Sequence, residues 1–129
     1  MEELIIEDTF MKLLGIEFKV SKGSKSGITV TDNYEIKEIN EDSIVINLKR
    51  KVIMNFDVKE TLIVEVQVKS TGTENVNFKE VLTDSYITQN IENLLGPTFG
   101  YLSNLISQIT GAFGRYPFIT APGLYNGKE

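Results

Sequence analysis

Apolar residues recur at every second position up to about residue 70 and at helical spacing beyond it, so the chain divides near residue 72. Phe10, Leu14, Ile16, Phe18 and Val20 share one parity, which predicts a half-buried first strand with these side chains on its inner face. After the polar break Lys22–Gly27 the alternation resumes with Ile28, Val30, Tyr34 and Ile36. Ile39 changes parity, the mark of a bulge or a strand end. Asn40–Ser43 carries turn chemistry. Ile44, Ile46, Leu48, Val52, Met54 and Phe56 then form one face, interrupted only by Arg50. A turn near Asp57–Glu60 leads to Leu62, Val64, Val66 and Val68, opposed by Glu65, Gln67 and Lys69. The connections are short, which predicts antiparallel pairing between neighbours and a sheet of about four strands with one apolar face.

The second part of the chain reads as two helices. Tyr86, Ile87, Ile91, Leu94 and Leu95 fit one helical face behind a cap at Thr83 or Asp84. Gly96-Pro97 interrupts and opens a second helix with the stripe Leu102, Leu105, Ile106 and Ile109, for which Gly111 is a stop. The prolines from Tyr116 to Gly123 hold the following segment extended. The expected molecule is a single α+β domain over residues 1–129, a four-stranded antiparallel sheet followed by two helices on one face. The sheet spans about residues 8–70, the helices about 83–111 and the extended tail 112–129. The pattern leaves open whether the first eight residues are helical or extend the first strand.

Charge adds something that periodicity does not. Between Ser85 and Gly114 the only charged residue is Glu92. A helix pair solvated on its outer side carries more charge than this. The pattern fits an oligomer interface or an adaptable binding surface, or a domain that simply prefers Asn and Ser there.

Composition narrows the chemistry. The 129 residues include no Cys, His or Trp. Thiolate nucleophiles, disulfides, imidazole bases and Cys- or His-ligated metals are therefore excluded. We expect no enzyme, no cofactor and no metal site. A formal net charge of −5 opposes nucleic-acid binding by the whole domain. The acidic start Met1–Asp8 is unlike a signal or transit peptide, and no apolar run reaches the length of a membrane span. The expectation is a soluble cytoplasmic protein with no membrane insertion.

No local motif carries catalysis. Gly23–Gly27 lacks the phosphate-loop spacing and leads into a strand. Lys49, Arg50 and Lys51 alternate between faces of a strand, so Arg50, at core parity, calls for a strand edge or a partner carboxylate. Glu41, Asp42, Asp57 and Glu60 fall in expected turns. Glu65 lies on the sheet's second face, solvated or in contact with a partner. Phe99, Tyr101, Phe113, Tyr116, Phe118 and Tyr125 concentrate aromatic surface in the last third, as core or as the lining of an apolar groove.

The segment from Leu94 through Phe113, followed by Tyr116–Pro122, resembles the SecB protein-export chaperones: an apolar helix, a Pro opening a second helix, a Gly-containing break and an extended apolar stretch ending at Pro. Ile16-Glu17-Phe18 resembles the family's first-strand Ile-x-Phe, and Glu65-Val66-Gln67 its fourth-strand Glu-Val-Gln. The resemblance covers roughly residues 10–124. It implies a dimer or tetramer with the second helices at the subunit interface, here Leu102, Leu105, Ile106 and Ile109. It also implies ATP-independent holding of unfolded or partly folded polypeptide, with Phe99, Tyr101, Phe113, Tyr116 and Phe118 as the client-binding groove. Ile63 and Glu65 match the strand on which the family docks the export motor SecA. The family's acidic positions beside Ile-x-Phe are Gly15 and Lys19 here, the long aromatic loop after the first strand is the short Lys22–Gly27, and the final helix and motor-binding tail are missing. These departures weaken SecA docking and favour an adaptor dedicated to one client, such as a toxin–antitoxin pair. The competing readings are a small-molecule-binding module with its pocket between sheet and helices, and a structural oligomer without chaperone activity.

Overall fold

The structure, a computed structural model, describes residues 6–73, 76–112, 118–121 and 123–125. Four strands, β1 (Ile6–Lys22), β2 (Gly27–Ile39), β3 (Ser43–Asn55) and β4 (Val58–Gly72), form one antiparallel sheet in the order β1-β4-β3-β2. A single helical turn, α1 (Phe78–Val81), precedes α2 (Asp84–Leu95) and α3 (Thr98–Ala112). The helices lie over one face, giving the two-layer α+β arrangement that the periodicity predicts.

The strand order corrects one expectation. β1 and β2 are joined by a short loop but do not pair; they form opposite edges, and β1 pairs with β4. Three strand spacings amount to about 14 Å, and the five steps from Lys22 to Gly27 reach about 17 Å when extended. The loop therefore only just spans the end of the β3–β4 hairpin. Gly23 N donates to Asp57 O (3.1 Å) and Lys25 N to Phe56 O (3.2 Å), which fixes the loop across the turn. Asn55 bonds Ser24 in both directions, receiving its N–H at 2.7 Å and donating Nδ2 to its Oγ at 3.1 Å. A Cβ on Gly23 would lie 1.9 Å from the Phe56 carbonyl oxygen, and that oxygen belongs to backbone. Gly23→Ala is accordingly expected to cost about 1–3 kcal/mol in urea unfolding with an unchanged m-value.

β1 departs from its expected face. Its register against β4 shifts between Leu13 and Gly15, so Leu14 is a bulge, and again between Ile6 and Asp8. Met11 and Leu13 pair with Val68 and Val66, while Ile16 and Phe18 pair with Val64 and Leu62. Met11, Leu13, Ile16, Phe18 and Val20 thus share the helix side, and Phe10 is on the other. The parity change anticipated at Ile39 is likewise a bulge, at Lys37, just before β2 ends. The β3–β4 turn is tighter than expected, Phe56-Asp57 alone. β1 begins at Ile6, so described residues before Thr9 extend the strand.

The core lies between the two central strands and the helices. Ile46, Leu48 and Val52 of β3 pair with Val68, Val66 and Leu62 of β4, and all six are buried. Phe78, Ile87, Ile91, Leu94, Leu95, Phe99, Leu102 and Ile106 close over them. Each such side chain contributes roughly 1.5–3 kcal/mol by leaving water. The Asn77 and Thr83 side chains cap α1 and α2 by accepting from Lys79 N and Tyr86 N. Four residues are too few for α1 to show periodicity in sequence. Gly96, at φ 55°, ends α2, and α3 runs one residue beyond the stop expected at Gly111.

Candidate functional site

Helices cover β3 and β4 fully and leave most of β1 bare. On its helix side Met11, Leu13, Ile16 and Val20 are exposed, Leu13 at 42% and Val20 at 60%. Phe18 is half-buried against the core. Among the described residues β1 pairs on one side only, and its other edge faces no strand. A long apolar edge strand invites another strand to pair with it.

The segment after α3 explains why the cover is lopsided. It turns back along one flank of α3: Phe118 N donates to Thr110 Oγ1 (2.8 Å), and Ser103 Oγ donates to the Thr120 carbonyl. It then crosses β3 to the edge of β2, where Asp32 N donates to Tyr125 O (3.0 Å). At 100° per residue, Tyr101, Leu105 and Gln108 fall on the opposite flank of α3. Tyr101 is exposed there and Leu105 half-buried. What stays open on the helix side is the apolar strip of β1 from Met11 to Val20, the floor of an uncovered trench.

The residues singled out in the sequence divide accordingly. Tyr101 is exposed on the flank of α3 away from the crossing segment, and Phe118 is half-buried at the start of that segment. Phe99 faces the core instead, with the Arg50 guanidinium 5.6 Å from its ring centre. Leu102 and Ile106 are fully buried within one chain, so an interface built on α3 has Leu105 and Ile109, both partly buried, to use. Phe113 and Tyr116 lie outside the described residues.

Arg50 does have a partner carboxylate. It stands opposite Asp32 in the β2–β3 register, and both side chains are wholly buried. Nε and Nη2 donate to the two carboxylate oxygens, each at 2.7 Å, a bidentate fork. The remaining donors reach the crossing segment: Nη1 to Thr120 Oγ1 (3.0 Å) and Ala121 O (3.1 Å), and Nη2 to Gly123 O (2.6 Å). The Tyr125 ring covers the guanidinium at 4.9 Å. Asp32 Oδ2 also accepts Tyr125 N (2.8 Å), and Glu92, on α2, accepts Leu124 N (2.8 Å). Arginine's planar fork suits this multiple donation, and a lysine would satisfy only part of it.

Ile63 and Glu65 are half-buried on the sheet's other face. Glu65 lies between Gly15 on β1 and Lys49 on β3. Glu35 and Lys37 pair nearby at 2.9 Å. That hydrogen bond holds the Glu35 carboxyl below its usual range and the Lys37 ammonium above its own, to which Glu65 adds a smaller push. The only acidic residue kept from the docking strand is thus set among lysines.

Among the described residues no helix is long and apolar enough to cross a membrane. No family model matches the chain, and no curated protein matches it in sequence. Among solved structures it is similar to a SecB-like chaperone of Mycobacterium tuberculosis, solved in complex with a ChAD peptide from the HigA1 antitoxin. The TM-score is 0.61 and the identity 17%, over 92% of this chain and 89% of that one. A protein of unknown function from Streptococcus agalactiae matches with a TM-score of 0.47 and 13% identity, over 92% and 97% of the two chains.

Proposed function

We propose that this chain, which has the SecB-like fold, is a non-catalytic chaperone or adaptor that holds an extended segment of another polypeptide. The carrying observation is the trench. β1 offers unpaired backbone groups along its edge and a row of exposed apolar side chains, Met11, Leu13, Ile16 and Val20, on its helix side. An extended client fits both, its backbone pairing with the edge and alternate side chains packing on the row. Apolar burial supplies the affinity and needs neither nucleotide nor metal.

A homo-oligomer, dimer or tetramer, belongs to the proposal. The β1 edge is taken by the client, and the partly buried Leu105 and Ile109 of α3 are left for the contact between copies. Weak sites would then act together. A dedicated client is favoured over general export: the structurally similar chaperone was solved with an antitoxin peptide, and Gly15 and Lys19 replace the acidic residues that the resemblance associates with SecA. We place the protein in the cytoplasm and leave SecA out of its partners.

The test is suppression of aggregation of an unfolded model polypeptide, without ATP, at matched subunit concentration. Suppression is expected, with the native form of the same polypeptide left unbound. No suppression, together with no binding to antitoxin segments, would overturn the reading.

A further inference from the structure

The segment that crosses Arg50 is held in a particular way. Ala121 and Gly123 are held through their carbonyl oxygens, Leu124 through its N–H, and Tyr125 through both its N–H and its carbonyl. Ser103 Oγ likewise donates to the Thr120 carbonyl. Side chains add the Thr120 hydroxyl on Arg50, the Tyr125 ring over the guanidinium, and Phe118 and Leu124 packed against the core. At the open edge of β2 the Asp32 N–H donates to the Tyr125 carbonyl, as in a pairing strand, while the Tyr125 N–H donates to the Asp32 carboxylate rather than to backbone. Arg50, Asp32 and Glu92 therefore bind main chain, which every polypeptide carries, far more than they bind a sequence.

Open grooves flank the segment on both sides. One of about 330 Å³ runs beside the Ser103–Thr120 hydrogen bond, lined by Gly100, Ser103, Asn104, Ser107, Ile119 and Thr120. A second of about 300 Å³ lies between β2, α2 and the segment's end, lined in part by Asp32, Tyr34, Ile91 and Leu124. Ile119 is 76% exposed.

We propose that Arg50 and Asp32 form a second polypeptide-binding site, across the helix layer from the trench, that the chain occupies with its own residues 118–121 and 123–125, latched by Glu92 on Leu124, until an incoming extended segment replaces them. The proposal rests on the adaptor reading for its incoming ligand, and not for the existence of the site. Arg50 and Asp32 stay buried and paired throughout. What changes is whose carbonyls and amides they hold.

The experiment follows amide hydrogen exchange by NMR on the full chain, with and without reduced, alkylated α-lactalbumin, which cannot refold. Its binding is measured separately by fluorescence anisotropy. Exchange at Phe118, Leu124 and Tyr125 is expected to rise at least tenfold on binding while the Asp32 amide stays protected, because the replacing segment supplies it with a carbonyl. Glu92→Ala, a change at an exposed helix position, releases Leu124 and is expected to tighten polypeptide binding about three- to tenfold, since one competing bond is lost. Binding that leaves exchange at these amides unchanged would overturn the proposal and spare the adaptor reading. A rise that includes the Asp32 amide would also overturn it, by showing an opening without replacement. If the polypeptide does not bind at all, general holding fails while a dedicated client stays open, and the site is tested with a synthetic peptide of residues 118–125 added to the Glu92→Ala chain: binding supports the site, and none overturns it.

Discussion

Replacing Arg50 with alanine is expected to cost about 3–5 kcal/mol, the loss typical when one member of a buried ion pair is removed. For a domain of this size that corresponds to a fall in Tm of roughly 10–20 °C, read by thermal unfolding under circular dichroism. The loss has two parts. The Asp32 carboxylate, with its side chain fully out of water, keeps only the N–H of Tyr125 as a hydrogen-bonding partner. Thr120, Ala121 and Gly123 lose their donors. Buried pairs elsewhere are often replaced without loss by apolar residues of similar volume. Here the double variant Arg50→Met with Asp32→Leu is expected to remain well below the parent in stability, because the carbonyls of the crossing segment would still face an apolar wall. Full recovery in the double variant would show that the pair matters only to itself.

The second large effect separates function from fold. Leu13→Glu and Ile16→Glu place a carboxylate on the bare face of β1 where the parent side chains are 42% and 46% exposed. Neither position packs against the core cluster, so the Tm is expected to stay within a few degrees of the parent. Suppression of aggregation is expected to fall at least tenfold, since a charge in the trench floor must be desolvated each time a client is held. The same substitution at Phe99, inside the core, is expected to unfold the protein instead. Retained suppression in both β1 variants would move the client site away from the trench.

Most of the architecture was legible in the chain because periodicity reports burial directly. Four strands, two longer helices, the Thr83 cap and the break at Gly96-Pro97 all follow from local pattern. Pairing was not. A short loop normally joins neighbours, and nothing in residues 23–26 announces that they cross the end of a hairpin, apart from the small residue where backbone meets backbone. The face of β1 was misread for a related reason. Taking Phe10 with Leu14 made one long alternation, whereas Met11 and Leu13 already stood off that parity and marked the bulge between two shorter ones.

The candidate site was legible in part. Arg50 at a core position called for a carboxylate, and Asp32 is the acid at inner parity on β2 ahead of the bulge at Lys37. The turn at Asn40–Ser43 alone would set Asp32 opposite Lys51, and the one-residue bulge that the parity change at Ile39 announces moves it opposite Arg50. What Arg50 holds was not, since carbonyl oxygens carry no residue identity. The aromatic signal pointed to the right third of the chain but could not sort Phe99, in the core, from Tyr101 two residues on.

The crossing of the loop over the β3–β4 turn also sets an order of events in folding. Lys22 meets Val58 and Ile6 meets Gly72, so β1 has no partner until the last strand of the sheet exists. β2, β3 and β4 are joined by short turns and can assemble among themselves first. On the ribosome β1 is made earliest and paired latest, and its apolar side chains wait in solution for the rest of the sheet. By the same logic β1 is the strand that leaves first when the domain opens locally. A chain built this way is, during its own synthesis, briefly the kind of polypeptide it is proposed to hold.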